Sequence, residues 1–343
     1  MRNMNSIEKY LHDCLHNNMF DNCAVAIGNP DGEKYRYLID NKELITDADT
    51  LFDMASVTKI LSVALPALIL ADQGRLSFDA KMGDFFECTD EKKNITIKNL
   101  LTHTSGMGGG AIEPYAGIPE NAIQAILGKP LLMKPDTNVI YSCHGYMVMG
   151  KILERICGKA LDQILVEYVT KPLNMNHTMY LPIGNNIVNS NDNKKETGLV
   201  NDFNARFVGG VSGNAGVFSS IDDMSIFARL LANDCNQLLS KKMFDMAIMN
   251  YTDGMGESRG LGFCLVDERY SQAGDLFSMG SYGHCGHTGT SVFIHKCCKQ
   301  YVVVLTNMTK CVKGTYNIVK EFRKNIHNAI HEYQSSNEMC HFM

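Results

Sequence analysis

The longest apolar run in the chain, residues 60–71, constrains the fold more than any other feature. It spans about a dozen residues and contains Ser62 and Pro66, so it is too short to cross a bilayer, which takes roughly 20 apolar residues. A β-prone apolar segment, residues 51–54, leads into it through Ser56. We therefore expect a helix buried in the protein core. We also expect a kink at Pro66, because proline has no N–H to donate to the Ser62 carbonyl.

Ser56 and Lys59 lie three residues apart at the start of this helix. The spacing puts both side chains on one helical face, where a lysine amine can act as the base for a serine nucleophile. A serine in the first turn also directs its own N–H towards the group that its oxygen attacks, which gives half of an oxyanion hole. Ser6 and Lys9 have the same spacing, but they lie in a charged N-terminal helix and are predicted to be solvated surface. From spacing and context alone, Ser56 is either a nucleophile or a structural capping serine.

Charge and composition exclude several classes of function. The 343 residues carry a net charge of −5, and hydrophobic residues make up 45% of the chain, which is an ordinary balance for a globular protein with a large core. No basic cluster is interleaved with aromatic residues, so we expect no nucleic-acid partner. Residues 1–20 contain Glu8 and Asp13 and lack the apolar core of a signal peptide. We expect a soluble, cytoplasmic protein with no membrane partner.

The twelve cysteines are scattered along the chain, and we interpret them as free thiols in a reducing cytosol rather than as a disulfide framework. His284, Cys285 and His287 form a local cluster together with Cys297 and Cys298. Their spacing differs from the regular paired-ligand spacing of a structural zinc site. We expect neither a metal nor another cofactor.

Strand and helix patterns place a sheet at the two ends of the chain. Two strands are predicted around the turn signal at residues 29–32, and further strands follow residue 260. Helices at the two termini are expected to lie side by side. We predict a single α+β domain with a sheet lobe of approximately residues 1–60 and 240–343 and a helical lobe of approximately residues 61–239. The predicted strands are residues 23–28, 34–39, 261–266, 282–294 and 301–307, and the closing helix is residues 314–333.

Three further segments receive a structural interpretation. His103 could belong to a catalytic triad, but no acidic partner is visible, so we expect a histidine that is hydrogen-bonded in a tight turn. The glycine-rich residues 209–220, which lead into a helix capped by Ser219 or Ser220, are predicted to pack closely beneath a pocket. The polar residues 185–196 have no periodicity and are predicted to form a mobile surface loop.

Three sequence elements follow one another in an order that resembles a known family. They are Ser56 with Lys59, Tyr141 with Cys143, and a predicted strand that contains His287-Thr288-Gly289. The chain resembles the serine β-lactamase and penicillin-binding protein superfamily, particularly its class C branch with the related esterases and D-amino-acid peptidases. The resemblance implies a β-lactamase/transpeptidase-like fold, an antiparallel sheet flanked by terminal helices with an inserted, mainly helical lobe. It covers nearly the whole chain, and residues 100–106, 213–219, 259–263 and 305–307 are also similar to family sequences.

The resemblance assigns roles to these residues. It implies that Ser56 is acylated and that Lys59 accepts its proton. Tyr141 matches a tyrosine that relays protons during acylation and activates water for deacylation, and a phenol beside the Lys59 ammonium is expected to have its anion favoured. Gly289 is expected to let substrate approach the strand edge, and the Thr290 N–H to join the Ser56 N–H in the oxyanion hole. The residues expected to bind substrate are Cys143, His287, Thr288 and Gly289.

Two residues depart from the family pattern and narrow the expected substrate. Cys143 stands where β-lactamases and many carboxypeptidases have asparagine, and a thiol cannot offer the donor and acceptor pair of an amide. His287 stands where those enzymes have lysine, so charge pairing with a substrate carboxylate is less certain near neutral pH. We predict a serine hydrolase that acts through an acyl-enzyme on small ester, amide or peptide substrates.

Two alternatives to this prediction stay open. One is β-lactamase or D-alanyl carboxypeptidase activity, and the other is a non-catalytic descendant that binds a ligand in the same cleft. Cys143 as an alternative nucleophile would need a nearby base, and His144 is adjacent to it only in sequence. A packed thiol at a helix start is therefore the expected state of Cys143.

Overall fold

The computed structural model of the protein describes residues 5–268, 271–312 and 316–336. The strands in these ranges are β1 (Asn22–Asn29), β2 (Gly32–Asp40), β3 (Phe52–Asp53), β4 (Met179–Tyr180), β5 (Val217–Ser219), β6 (Cys264–Leu265), β7 (Tyr282–Cys285), β8 (Ser291–Ile294) and β9 (Tyr301–Thr306). Six of them form a sheet in the order β2-β1-β9-β8-β7-β6, in which every neighbouring pair is antiparallel. A second, small sheet has the order β3-β5-β4.

Helices cover both faces of the large sheet and fill the middle of the chain. In chain order they are α1 (Ser6–His16), α2 (Leu65–Asp72), α3 (Ile97–Leu101), α4 (Glu113–Ala116), α5 (Ala122–Gly128), α6 (Cys143–Cys157), α7 (Leu161–Leu165), α8 (Lys171–Leu173), α9 (Phe203–Phe207), α10 (Ile221–Ala232), α11 (Lys241–Ala247), α12 (Met308–Cys311) and α13 (Tyr316–Ser336). This α+β arrangement is the fold class that the sequence predicts.

Side chains of the central strands alternate between two cores, as the two-residue period of a strand requires. Val25 and Val304 pair across β1 and β9 and belong to the core beneath α1 and α13. The adjacent pair, Ala24 and Leu305, belongs to the larger core, on the side where α10 packs against β1, β8 and β9. The terminal helices α1 and α13 contact each other, which confirms the predicted pairing of the chain ends.

The packing of α10 bears on the two predicted lobes. This helix lies within residues 61–239, the range predicted for the helical lobe, yet it packs on the sheet. It therefore ties the two regions together, and their division into lobes stays a prediction.

The buried apolar run is one continuous helical segment with three successive geometries. Residues Ala55–Val57 form a 3-10 turn, Lys59–Ala64 form a wider π-helical turn, and α2 follows. The Leu65 N–H bonds to a carbonyl five residues back. Because this widened turn directly precedes Pro66, the break in regular α-geometry comes before the proline rather than as a kink centred on it.

The same segment meets the length and hydropathy of a membrane-spanning helix. Residues Ala55–Asp72 have a mean hydropathy of 1.6, but 83% of the segment is buried inside the protein. Its apolar surface is thus covered by the rest of the chain, as expected of a core helix.

The predicted strand over residues 282–294 is a hairpin of two strands, β7 and β8. Between them, the Gly289 N–H donates to the Gly286 carbonyl at 3.2 Å, and Gly289 has a φ of +97°, which glycine adopts without steric cost. The single strand that the sequence predicts is therefore corrected to two strands joined by this turn.

The segment at residues 185–196 is more enclosed than the predicted surface loop. Ser190 and Asn191 are buried. The Asn191 side chain donates to the carbonyl oxygens of Glu196 and Leu199, at 3.3 and 2.8 Å. These bonds fold the segment onto itself, which a polar sequence without periodicity does not reveal.

Candidate active site

Ser56 lies where β3 passes into the buried helix. Asp53, at the end of β3, is completely buried, and its carboxylate accepts the Ala55 N–H at 2.8 Å and the Asn201 N–H at 2.7 Å. Ala55 has a φ of +45°, a region that residues other than glycine seldom adopt. Burial raises the pKa of Asp53 to about 6, although the two N–H donors act in the opposite direction. Asp53 thus holds the sharp turn that presents Ser56.

Lys59 is fully buried and reaches Ser56 directly. Its Nζ lies 3.0 Å from Ser56 Oγ, donates to the Asn214 carbonyl at 2.8 Å, and is 3.7 Å from Cys143 Sγ. These partners are a hydroxyl, a carbonyl and a thiol rather than a carboxylate. The amine can therefore exchange a proton with the Ser56 hydroxyl, which is the contact that a nucleophile and its base require.

Tyr141 lies beside the same lysine, with Lys59 Nζ 5.0 Å from the centre of its ring. The expectation that Lys59 favours the phenolate is wrong. Burial, followed by the Cys143 thiol, raises the pKa of Tyr141 well above its ordinary value, and a hydrogen bond with Ser56 only partly opposes the rise. Tyr141 is 38% exposed, so solvent reduces the effect of burial on its pKa, but the pKa remains raised. Because the lysine hydrogen-bonds elsewhere, Tyr141 is a neutral phenol near pH 7.

Cys143 is the first residue of α6 and lines the pocket as a half-buried thiol. The preceding Ser142 caps the helix, since its Oγ accepts the Gly145 N–H at 2.9 Å. The His144 ring bonds to the Gly110 carbonyl at 2.9 Å, so it is engaged with a different part of the chain. The structure therefore places Cys143 as a packed thiol, in agreement with the sequence interpretation.

His103 supports Tyr141 from the protein interior. Its Nδ1 accepts the Ser142 N–H at 3.0 Å, and its ring centre is 4.5 Å from that of Tyr141. Burial, ahead of the charges of Arg259 and Lys59, lowers the pKa of His103 well below its usual value. With a φ of +59°, it is a neutral histidine hydrogen-bonded in a tight turn, as the sequence predicts.

The predicted third element, His287-Thr288-Gly289, is placed incorrectly along the chain. Thr288 is fully buried, and its Oγ1 donates to the Asp53 carbonyl at 3.0 Å. Gly289 belongs to the hairpin turn, and Thr290, the predicted oxyanion donor, is fully buried as well. The turn carries residues 288–290 behind the pocket wall, so the binding roles predicted for Thr288 and Gly289 and the oxyanion role of Thr290 are wrong.

The pocket wall consists instead of residues 284–287, which lead out of β7. A Cβ on Gly286 would lie 2.7 Å from a main-chain carbonyl and 3.1 Å from Ala55 Cβ, so this peptide lies against the turn that presents Ser56. Within the described ranges the His287 N–H forms no hydrogen bond. The Ser56 and His287 N–H groups are therefore the pair that can face a developing oxyanion.

Neither histidine of this wall supplies a cation near neutral pH. Burial, followed by the charges of Lys59 and Arg259, lowers the pKa of His284 well below its usual value. Burial and then Arg323 lower the pKa of His287, although its side chain is exposed to solvent at one edge. A substrate carboxylate consequently finds no charged histidine at this position.

These residues border a cavity of about 520 Å³. Sequence reasoning missed Asn214, whose carbonyl accepts from Lys59, and two nearly buried arginines of the lining, Arg259 and Arg323. Asn214 and Arg259 lie in segments that resemble the family, which was the available signal. The predicted close packing beneath the pocket is confirmed, because a Cβ on Gly213 would lie 2.1 Å from the Tyr146 carbonyl.

The cysteines that line the pocket are free thiols. Cys143, Cys264 and Cys285 all line the cavity as free cysteines. In the part of the chain that the structure describes, no group of three His, Cys, Asp or Glu side chains is arranged to hold a metal ion.

Comparisons with known proteins agree with this geometry. The family model described as Beta-lactamase matches residues 29–315. An N-acetylmuramyl-L-alanine amidase of Bacillus subtilis (strain 168) is 27% identical over 303 residues, covering 75% of this chain and 68% of that protein. The solved structure of EstCE1, a hydrolase with promiscuous acyltransferase activity, has a TM-score of 0.77 at 19% identity and covers 95% of this chain and 97% of its own. The octameric penicillin-binding protein homologue from Pyrococcus abyssi has a TM-score of 0.76 at 18% identity, with coverages of 95% and 77%.

The solved structures share the fold of this protein, and the family model covers most of its length. The contact between Ser56, which lines the pocket, and the buried Lys59 at the start of the core helix gives that match a chemical meaning. The chain belongs to the β-lactamase family and is a serine hydrolase of that family.

Proposed function

We propose that this enzyme is a cytoplasmic esterase or small-amide hydrolase that forms its acyl-enzyme on Ser56. The observation that carries the proposal is the 3.0 Å contact between Lys59 Nζ and Ser56 Oγ inside the protein. A reducing compartment would keep the pocket thiols free, which supports the location. The proposal makes Ser56, Lys59 and Tyr141 the catalytic residues.

Acylation begins with attack by Ser56 Oγ on the substrate carbonyl. The Lys59 amine takes the hydroxyl proton, and the Ser56 and His287 N–H groups stabilise the oxyanion. The raised pKa of Tyr141 keeps its phenol protonated, so the phenol has a proton to give to the leaving alkoxide or amine as the carbon–heteroatom bond breaks. The Lys59 ammonium then returns a proton to the phenolate, which leaves an ester on Ser56 and a released alcohol or amine.

Deacylation uses the same groups with water as the nucleophile. Tyr141 passes its phenol proton to the Lys59 amine as it accepts a proton from water, and the water oxygen attacks the acyl carbon. Lys59 then holds the proton that Ser56 Oγ takes in the next step. The collapse of the second tetrahedral intermediate breaks the bond to Ser56 Oγ, which regains its proton. The products are a carboxylic acid and the free enzyme.

The pocket supports a preference for small, uncharged acyl substrates. His284 and His287 have lowered pKa values, and the Cys143 thiol replaces a group that would pair with an amide. Arg259, an arginine of the pocket lining, pairs with Glu257. The exposed ring of Phe203, at the mouth of the cavity, offers apolar contact to the rest of a substrate.

Hydrolysis of peptides related to the cell wall is the second candidate function. It is favoured by the amidase of Bacillus subtilis and by the penicillin-binding protein homologue among the similar proteins. The substitution of Cys143 at the amide-binding position weighs against it.

Acylation of intact protein tests both candidates. Wild type, Ser56→Ala and Ser6→Ala are incubated with a panel of p-nitrophenyl esters, a D-alanyl peptide and a β-lactam, and turnover and intact mass are recorded. Ser6 is a matched control, since it has the same spacing to a lysine but hydrogen-bonds to the Ala329 carbonyl at the surface.

We expect ester turnover and an acyl adduct in wild type and Ser6→Ala, with both absent from Ser56→Ala. Ester turnover by the Ser56→Ala variant would contradict the mechanism. Acylation by the D-alanyl peptide in preference to esters would favour the second candidate. No acylation by any compound would favour a ligand-binding descendant.

A further inference from the structure

Arg323 is a buried cation beside the pocket that the chemistry above does not use. It lies on α13, and only 2% of the residue is exposed. Its Nη1 donates to the Gly286 carbonyl at 2.8 Å, and its Nη2 donates to Gln272 Oε1 at 3.1 Å. Both acceptors are neutral. Because a buried charge costs free energy unless its partners compensate it, the choice of these acceptors calls for an explanation.

The Gly286 carbonyl belongs to the same peptide unit as the His287 N–H. The C=O and N–H of a planar, trans peptide point in opposite directions, and the described ranges contain no cis peptide bond. The Gly289 N–H also donates to this carbonyl, at 3.2 Å, while the Gly286 N–H donates to the Thr290 carbonyl at 2.8 Å. With its carbonyl held on the α13 side, the unit directs the His287 N–H away from α13 and into the pocket.

We propose that Arg323 is a positioning residue for the oxyanion hole, a role that rests on the function proposed above. The guanidinium fixes the plane of the Gly286–His287 peptide and polarises it. A hydrogen bond from a cation is stronger than one from a neutral donor, and bonds in series polarise one another. The His287 N–H consequently carries more positive charge when the oxyanion forms beside Ser56, and Arg323 acts without touching substrate.

A purely structural role would make Arg323 an anchor that fastens α13 to the sheet. His327, one turn further along the same helix, is a residue of that kind and serves for comparison. His327 is fully buried, and its Nε2 lies 3.0 Å from Ser291 Oγ on β8. Replacing His327 therefore disturbs the packing of α13 without removing a bond to the Gly286–His287 peptide.

Selective labelling makes the contact visible without any substrate. The sequence contains two Gly-His peptide bonds, Gly283-His284 and Gly286-His287. Protein labelled with ¹³C at glycine carbonyls and ¹⁵N in histidine therefore gives two correlations in an HNCO spectrum. We expect Arg323→Met to move the Gly286–His287 correlation and to leave the Gly283–His284 correlation nearly in place. If the first correlation does not move, the proposed contact is overturned.

Kinetics then test what the contact does. We expect Arg323→Met to lower kcat on a p-nitrophenyl ester by about 10- to 100-fold with little change in KM, because an oxyanion donor acts in the transition state. Affinity for a phenylboronic acid, whose adduct with Ser56 is tetrahedral, is expected to fall in parallel. Arg323→Lys should recover part of the loss, since lysine can still donate to the carbonyl.

His327→Gln is the structural control and should lower thermal stability while leaving kcat of the folded protein unchanged. An unchanged kcat in Arg323→Met, or an equal loss in His327→Gln, would overturn the positioning role. A wild type that no ester acylates would instead defeat the proposed function, and the oxyanion role with it, while the HNCO spectra still decide whether the contact exists.

Discussion

Among the residues that the structure describes, two lysines are almost completely enclosed, and they differ in what their amines contact. Lys59 lies in the candidate active site, against Ser56 Oγ. Lys92 lies beside the C-terminus of α5 in space. Lys92 Nζ donates to the carbonyls of Ile126 and Leu127, at 3.3 and 2.6 Å, and to that of Lys129. These carbonyls lie at the C-terminus of α5, where the Ile126 carbonyl also accepts the Lys129 N–H at 3.3 Å, and a cation is favoured there by the helix dipole.

The difference lies in what the partners can do with a proton. A carbonyl only accepts, so Lys92 must stay protonated to satisfy all three oxygens, even though burial lowers its pKa. A serine hydroxyl both donates and accepts, so Lys59 can keep its contact with Ser56 whether it is charged or neutral. Burial of a lysine is therefore no sign of catalysis by itself. A catalytic role is indicated when the lysine contacts a group that can both accept and return a proton.

Lys59→Met gives the largest expected effect. The variant removes the base while keeping an apolar side chain of similar length, and we expect kcat on the preferred ester to fall by about 10³-fold. The free energy of unfolding, measured in urea, should fall by no more than about 2 kcal/mol, because Lys59 leaves few acceptors behind. Near-normal turnover in a folded Lys59→Met protein would contradict its role as the base.

Lys92→Met reverses this pattern and comes next in size. It removes the donor to the Leu127 and Lys129 carbonyls, whereas the Ile126 carbonyl keeps the Lys129 N–H, and we expect a loss of about 4 kcal/mol in the free energy of unfolding. The kcat of the folded fraction, counted by titration of Ser56 with an acylating ester, should match wild type. Lys93→Met is the matched control, since Lys93 forms an exposed ion pair with Asp90 and should leave the free energy of unfolding almost unchanged. A Lys92→Met protein as stable as this control would break the comparison.

Lys92 also shows why only part of the molecule could be predicted from sequence. The ends of α6 and α10 carry local signals, the left-handed Gly158 and the capping Ser220, and both helices were predicted. The partners of Lys92 lie more than thirty residues away, so no local pattern reveals them.

The candidate active site also contains residues that could be predicted from the sequence and residues that could not. Ser56 and Lys59 could be predicted as candidates from their spacing at a helix start, and Tyr141 from the resemblance to the family. The wall opposite could not be placed, since the chain presents two successive Gly-His steps, Gly283-His284 and Gly286-His287. Only the packing of Gly286 against Ala55 shows which of the two Gly-His peptide units lies next to Ser56. Arg323 reaches the wall from the far end of the chain, beyond the reach of any local motif.

Asp53 extends the comparison to a buried acid and gives the smallest expected effect. Burial raises its pKa to about 6, whereas an unfolded aspartate has a pKa of about 4. At pH values between these two pKa values, the folded protein binds more protons than the unfolded chain. The contribution of neutral Asp53 to the free energy of unfolding is therefore complete below about pH 4 and is lost as the pH rises through about 6. The shift of about two units corresponds to about 3 kcal/mol. Asp53→Asn should therefore lack this fall. Urea unfolding at several pH values from 4 to 7 measures it, with the exposed Asp31→Asn as control, and a wild-type curve parallel to that of Asp53→Asn would show that burial does not act on Asp53 as it acts on Lys92.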